Sequence, residues 1–188
     1  MTVKVNFGCG FEGKLPGWIN VDLSPQGSPD VIADLSKDLP FATASVDFIH
    51  SEDFIAALEL AQAKHFLREC ARILKPTGVM RVLTPDLAKL CRAYLDQPEW
   101  LVATWDRTVG VPIATRSACE VVNLGVRLAG KFHYDARTFR QVAEECGLRA
   151  EPVAWNRSEH PELRDLDLRA PDSSVSMYFQ CYPVAARR

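Results

Sequence analysis

Val5-Asn6-Phe7-Gly8-Cys9-Gly10-Phe11-Glu12-Gly13 runs from a short apolar stretch into a glycine turn, and Trp18-Ile19-Asn20-Val21-Asp22-Leu23 follows after only Lys14-Leu15-Pro16-Gly17. Val3 to Phe7 reads as a strand that stops at Gly8-Cys9-Gly10, and Trp18 to Leu23 as a second strand. Gly8 to Gly13 also spells G-x-G-x-x-G. A dinucleotide would need a helix directly after that turn, to face its pyrophosphate, and an acidic residue about 20 positions on. Lys14 to Gly17 breaks any helix and Asp22 comes too early, so NAD and FAD are disfavoured. A nicotinamide oxidoreductase rests on the literal glycine pattern alone.

Further along, Val31-Ile32-Ala33 and Val46 to His50 read as a third and a fourth strand. Leu58 to Leu74 then changes period: Leu60, Ala63, Leu67, Cys70, Ala71 and Leu74 recur at helical spacing, and Pro76 and Gly78 stop the helix. Val79 to Leu83 is a fifth strand, and Thr84-Pro85-Asp86 opens another helix with proline in its first turn. Asp135 to Cys146 is helical and ends at Gly147, while Leu148 to Trp155 and Val175 to Pro183 supply the last two strands. Strands alternating with helices predict a mostly parallel sheet covered by helices on both faces. No repeat or linker divides residues 1–188, which read as one domain. Gln97 to Phe132 fits least well: about 36 residues is long for a connection, so it is expected to be a lid or a partly helical insertion.

Composition narrows the class. The 22 basic residues are interleaved with 24 acidic ones, which leaves no footprint for nucleic acid. No apolar run is long enough to span a bilayer, and charge and glycine interrupt the start where a signal peptide needs its apolar core. The six cysteines include no C-x-x-C pair, so no metal site is expected. Buried, reduced thiols in a cytoplasmic protein are the expectation for all but Cys9, which sits in the glycine turn.

A ligand without phosphates escapes the objection raised against dinucleotides. It needs main chain free of Cβ atoms at Gly8 and Gly10. It needs a carboxylate within reach of a ribose diol, which Asp22 supplies, and an acceptor for an adenine amino group, which Asp34 supplies. All three positions follow strands, at the carboxyl ends where open α/β sheets bind ligands.

Val5-Asn6-Phe7-Gly8-Cys9-Gly10, Gly17-Trp18-Ile19-Asn20-Val21-Asp22, Ala33-Asp34-Leu35, and Leu39-Pro40-Phe41 with Ser45-Val46-Asp47 resemble successive motifs of the class I S-adenosylmethionine-dependent methyltransferases. Leu67-Arg68-Glu69-Cys70-Ala71-Arg72-Ile73-Leu74-Lys75-Pro76-Thr77-Gly78 resembles the helix and turn before that family's fifth strand, with Thr77 where glycine is usual. Thr84-Pro85-Asp86-Leu87 is similar to a small, stand-alone branch. The likeness is good over about residues 3–90 and weaker from His133-Tyr134-Asp135 to Gly147-Leu148.

The resemblance implies a Rossmann-like α/β fold with a seven-stranded, mostly parallel sheet whose last strand is antiparallel. The early helices are shortened, because only Phe11 to Gly17 and Ser24 to Asp30 are available for them. It implies S-adenosylmethionine as cofactor, with Gly8, Cys9 and Gly10 along its methionine part and Asp22 on the ribose. Leu23, Asp34 and Leu35 would frame the adenine, and His50 and Ser51 would lie beneath the sulfonium. Where relatives carry a histidine and then a Glu-His pair after the fourth strand, this chain has Asp53 and Ala56-Ala57.

Methyl transfer is an in-line displacement, helped by a base that takes the acceptor's proton. His133, His50 and Asp53 are the candidates for that work. The expected acceptor is a small or sugar-like molecule offering oxygen or nitrogen, and its side of the site would be closed by Gln97 to Phe132 or by the second subunit of a homodimer. A cofactor-binding or interaction protein without turnover is the alternative, suggested by Ala56 and Ala57.

Overall fold

The computed structural model describes residues 2–128 and 130–184. Its single sheet has the order β3-β2-β1-β4-β5-β7-β6. β1 (Lys4–Phe7), β2 (Ile19–Asp22), β3 (Val31–Ile32), β4 (Val46–Glu52) and β5 (Leu74–Pro85) pair in parallel. β7 (Ser176–Pro183) runs antiparallel to both β5 and β6 (Leu148–Pro152), as expected for the last strand. β4 and β5 are longer than the sequence suggests; β4 continues past His50 through Ser51 to Glu52.

Helices α1 (Leu60–Ile73) and α5 (Ala136–Glu145) lie close to their expected places. Asp135 caps α5 by accepting from Thr138 N at 2.7 Å, a bond that holds its carboxyl below the usual range. The helix after β5 starts differently from the reading above. Pro85 closes the strand, and Asp86 is the N-cap of α2 (Leu87–Asp96), accepting from Ala88 N at 2.9 Å. The long connection folds into α3 (Pro98–Thr108) and α4 (Ala118–Leu128). With α2 they build a small core of their own around Leu90, Leu101, Trp105 and Val121.

Side chains alternate across the sheet with period two, and here the two faces differ in kind. Val5, Phe7, Val21, Ile49, Met80, Val82, Phe179 and Cys181 join Phe66, Leu67 and Ile73 of α1 and Phe139 and Val142 of α5 in the main core. The opposite face carries Asn20, Asn6, His50, Arg81 and Gln180, which are register neighbours across β2, β1, β4, β5 and β7. All five are buried, none more than 3% exposed.

Loops 11–18 and 153–170 cover this polar row where helices were expected, which corrects the prediction of helices on both faces. A loop cannot satisfy its own backbone as a helix does, so the row's side chains do it instead. Asn6 Nδ2 donates to the Gly13 carbonyl at 2.7 Å, and Asn20 accepts from Leu15 N at 2.8 Å while donating to the carbonyls of Leu15 and Trp18, each at 3.1 Å. Arg81 donates to the carbonyls of Arg157 (2.9 Å) and Ala154 (3.1 Å), and Gln180 to Ser158 Oγ (2.6 Å). The early connections are short, as predicted, with one 3-10 turn (Pro25–Gly27) after β2. Two cysteines depart from expectation: Cys91 and Cys119 are exposed, while the other four are buried.

Candidate active site

The glycine bend is held by the carboxylate that ends the next strand. Asp22 Oδ2 accepts from Gly10 N at 2.9 Å and Oδ1 from Ser24 N at 2.8 Å, so one side chain ties β1's turn to β2's. Each oxygen keeps a lone pair for another donor. Gly8 and Gly10 have φ of +72° and +52°, in the left-handed region that favours glycine. Their surroundings differ. A Cβ on Gly8 would sit 2.5 Å from that of Phe54, so Gly8 is needed for packing. A Cβ on Gly10 would meet nothing within 4 Å, which leaves this main chain open to a ligand.

Below the bend lies a cavity of about 680 Å³, lined on one side by Gly8, Cys9, Gly10 and Phe11 and on the other by His50, Glu52, Asp53, Leu168 and Arg169. Burial raises the Cys9 thiol's pKa, with Asp22 adding to the effect, so it stays protonated. His50 Nδ1 donates to Asn6 Oδ1 at 3.1 Å, because the Asn6 amide nitrogen is already donating elsewhere. Burial lowers its pKa and keeps the ring neutral.

Ser51 alternates away from the cavity. It is 1% exposed, and its hydroxyl has no partner. Leu35 is likewise packed in the core, so its side chain cannot lie on an adenine as expected. Leu23 is 63% exposed beside Asp22, free to cover a base. Asp34 Oδ1 accepts from the Ser36 hydroxyl (2.7 Å) and backbone N (2.9 Å), bonds that lower its pKa. Asp22, Leu23 and Asp34 do not line the cavity, and Asp22 joins it through Gly10 N.

The sequence reading passed over Glu52, between two residues it did single out. Burial lifts its pKa to about 7, reinforced by neighbouring Asp53 and opposed by the N–H groups of Leu168 and Arg169. Those two groups donate to Oε1 at 3.1 and 2.9 Å and come from the 153–170 loop, which crosses the site here. Asp167 anchors that crossing: it pairs with Arg81 in the interior, one bond being Nε to Oδ1 at 2.6 Å, and also accepts from Asn156 N at 2.8 Å. Burial alone would raise the Asp167 pKa, but these bonds outweigh it and hold the carboxyl low.

A second, mostly apolar cavity of about 350 Å³ is walled by α2, α3 and α4, and His133 lines it. His133 Nε2 donates to the Val126 carbonyl at 2.8 Å, which leaves Nδ1 with the lone pair. Asp53 and Arg169 line both cavities. Asp53 Oδ2 accepts from Arg169 Nε at 2.8 Å, while its buried Oδ1 has no partner. Asp53 therefore shares one cavity with His133 and the other with His50. Ala56, where relatives have a polar group, is buried and offers its carbonyl to Lys131 N at 2.7 Å.

Among the described residues, no cluster of three or more His, Cys, Asp or Glu side chains could hold a metal. In the same residues, no helix is long and apolar enough to cross a membrane.

The strand order and the reversed β7 are those of the Rossmann-like fold seen in solved methyltransferase structures. Residues 6–82 match the family described as "Methyltransferase domain". An S-adenosylmethionine-dependent methyltransferase from Mesorhizobium loti is similar in structure, with a TM-score of 0.56 at 18% identity over 96% of this chain and 90% of that one. Another from Thermotoga maritima has a TM-score of 0.57 at 16% identity, covering 97% and 82%. A chain from the complex of the Haloferax volcanii Trm112 methyltransferase activator with a methyltransferase gives 0.58 at 14% identity, covering 100% and 84%. No curated protein sequence matches the chain.

Proposed function

We propose that the protein transfers the methyl group of S-adenosylmethionine to an oxygen or nitrogen of a small-molecule acceptor. One observation carries this reading: two cavities of different polarity, one under the glycine bend and one among α2–α4, meet at Asp53 and Arg169. The family match and the neighbouring folds support S-adenosylmethionine as the cofactor. The residues fit it. Gly10 offers open main chain, Asp22 has lone pairs free for ribose hydroxyls, and Glu52 can face the ammonium of the methionine end.

When bound, the cofactor supplies an electrophilic methyl carbon that gains a bond to the acceptor atom as its bond to sulfur breaks. The chain's own work is to position the acceptor and take its proton. Asp53 is the candidate to take the proton because it lines both cavities. His133 Nδ1 is a second acceptor in the same cavity. α3 and α4, from the segment expected to close the site, supply the walls, so closure does not require a second subunit. Arg169 holds Asp53 in place and ties it to the loop above.

The test is release of S-adenosylhomocysteine from S-adenosylmethionine in the presence of a phenol and amine library. Asp53→Asn should lower the rate by roughly 10²-fold or more, as loss of a positioned base does. No acceptor-dependent release by the wild type would favour the alternative, a binding protein without turnover.

A further inference from the structure

Glycine inside a helix costs the folded chain stability, because it gains the most freedom on unfolding and packs no side chain. Gly125 lies inside α4, which runs on to Leu128, so it does not serve as a helix cap. Each of the other nine glycines has a local reason to be glycine. Five have left-handed φ, and at Gly13, Gly27, Gly78 and Gly130 a Cβ would come closer than 3.0 Å to a neighbouring atom. Gly125 has neither reason. A Cβ there would lie 3.8 Å from Trp105 Cζ3 and 3.9 Å from Leu90 Cδ2, which is ordinary contact. Alanine would add apolar contact and remove the helix penalty. Stability alone favours a side chain at this position.

The same two distances fix where that side chain would go. Gly125, Trp105 and Leu90 all line the cavity among α2–α4, so it would enter the cavity between two of its walls. The cavity's volume of about 350 Å³ is roughly twice the 150 Å³ that holds a benzene ring. Trp105 and Leu90 are buried and apolar, so whatever lies beside Gly125 meets carbon. The polar lining includes the Asp53–Arg169 pair and His133.

We propose that Gly125 sets the size of the acceptor: its missing side chain admits a second, apolar ring, which lies against the main chain of α4 and touches Trp105 and Leu90. This rests on the methyl-transfer reading and adds the acceptor's class, a molecule of more than one ring whose nucleophilic oxygen or nitrogen meets Asp53. Gly125 is a specificity-determining residue, a position where room for the ligand is kept at the expense of stability.

Phenol and 2-naphthol are suitable probes, since they carry the same hydroxyl and differ by one ring. Their affinities for wild type, Gly125→Ala and Gly125→Leu can be read by saturation-transfer NMR. S-adenosylhomocysteine is titrated into the same samples, and urea unfolding is run in parallel. The wild type should bind 2-naphthol about tenfold more tightly than phenol. Leucine suits a helix and would occupy the place of the second ring. In Gly125→Leu, 2-naphthol should therefore lose about tenfold more affinity than phenol does, with Gly125→Ala between. Gly125→Ala should also unfold at a higher urea concentration than the wild type. S-adenosylhomocysteine, bound in the other cavity, should bind all three proteins alike. A preference for 2-naphthol that persists in Gly125→Leu would overturn the proposal, as would an alanine variant no more stable than the wild type. Failure of both probes to bind the wild type at about 1 mM would do the same. Binding of S-adenosylhomocysteine without either probe would sink this inference alone, whereas its failure to bind would sink the methyl-transfer reading.

Discussion

The two faces of the sheet solve the same problem by opposite means. Under α1 and α5 the strands present Phe7, Ile49, Met80 and Phe179, and the helices above satisfy their own backbones, so apolar contact suffices. Under the loops 11–18 and 153–170 the same strands present Asn6, Arg81 and Gln180, whose polar atoms bond the covering chain, and His50, which bonds Asn6. The first face supplies stability alone. The second also fixes where the loops cross the carboxyl ends of β1 and β4, and through Leu168 and Arg169 it positions Glu52 and Asp53. In this molecule the proposed ligand site is an extension of the polar face.

That contrast can be broken by one substitution on each side. Arg81→Ala leaves Asp167 buried and unpaired, which should cost about 3–5 kcal/mol. Phe66→Ala, under α1, should cost a similar 3–5 kcal/mol through its cavity. Urea unfolding should find the two variants alike in stability. Calorimetry below the unfolding midpoint should separate them: S-adenosylhomocysteine affinity falls with Arg81→Ala and holds with Phe66→Ala. Equal loss of affinity in both would mean that the polar face has no special tie to the site.

Glu52 gives a smaller and more specific effect. Its pKa rises from an ordinary 4.5 to about 7 in the folded protein. The folded state therefore holds a proton that the unfolded chain releases between these values, and stability drawn from Glu52 is lost as pH rises from about 4.5 through 7. Glu52→Gln should remove that slope in thermal unfolding. If the ionised form meets the ammonium of the methionine end, wild-type affinity for S-adenosylhomocysteine should rise about tenfold from pH 6 to 8, following the charged fraction. The Gln variant should bind with no such rise. A wild-type affinity independent of pH would remove Glu52 from the ligand site.

Much of this arrangement is legible in the sequence, and its gaps have physical causes. The strand positions and the bend at Gly8-Cys9-Gly10 follow from local signals, because glycine, proline and β-branched residues act within a few positions. The place of Asp22 at the end of β2 is legible too, because local signals mark strand ends. The polar row is hidden: Asn6, His50, Arg81 and Gln180 are far apart in the chain and become neighbours only through the strand register. For that reason helices were expected where loops lie. Glu52 is hidden because the local strand signal of β4 ends at His50, and Arg169 because nothing local marks the loop that crosses the site. Leu35 and Ser51 were placed by resemblance, which gives a position along the chain but not the direction of a side chain.

On the proposed function, a bend bare of side chains at Gly10, gripped by Asp22, receives a nucleoside without phosphates. Parallel calorimetric titrations of the wild-type protein with S-adenosylhomocysteine and with NADH test it most directly. We expect saturable one-to-one binding of S-adenosylhomocysteine and none of NADH; binding of NADH in its place would contradict the claim.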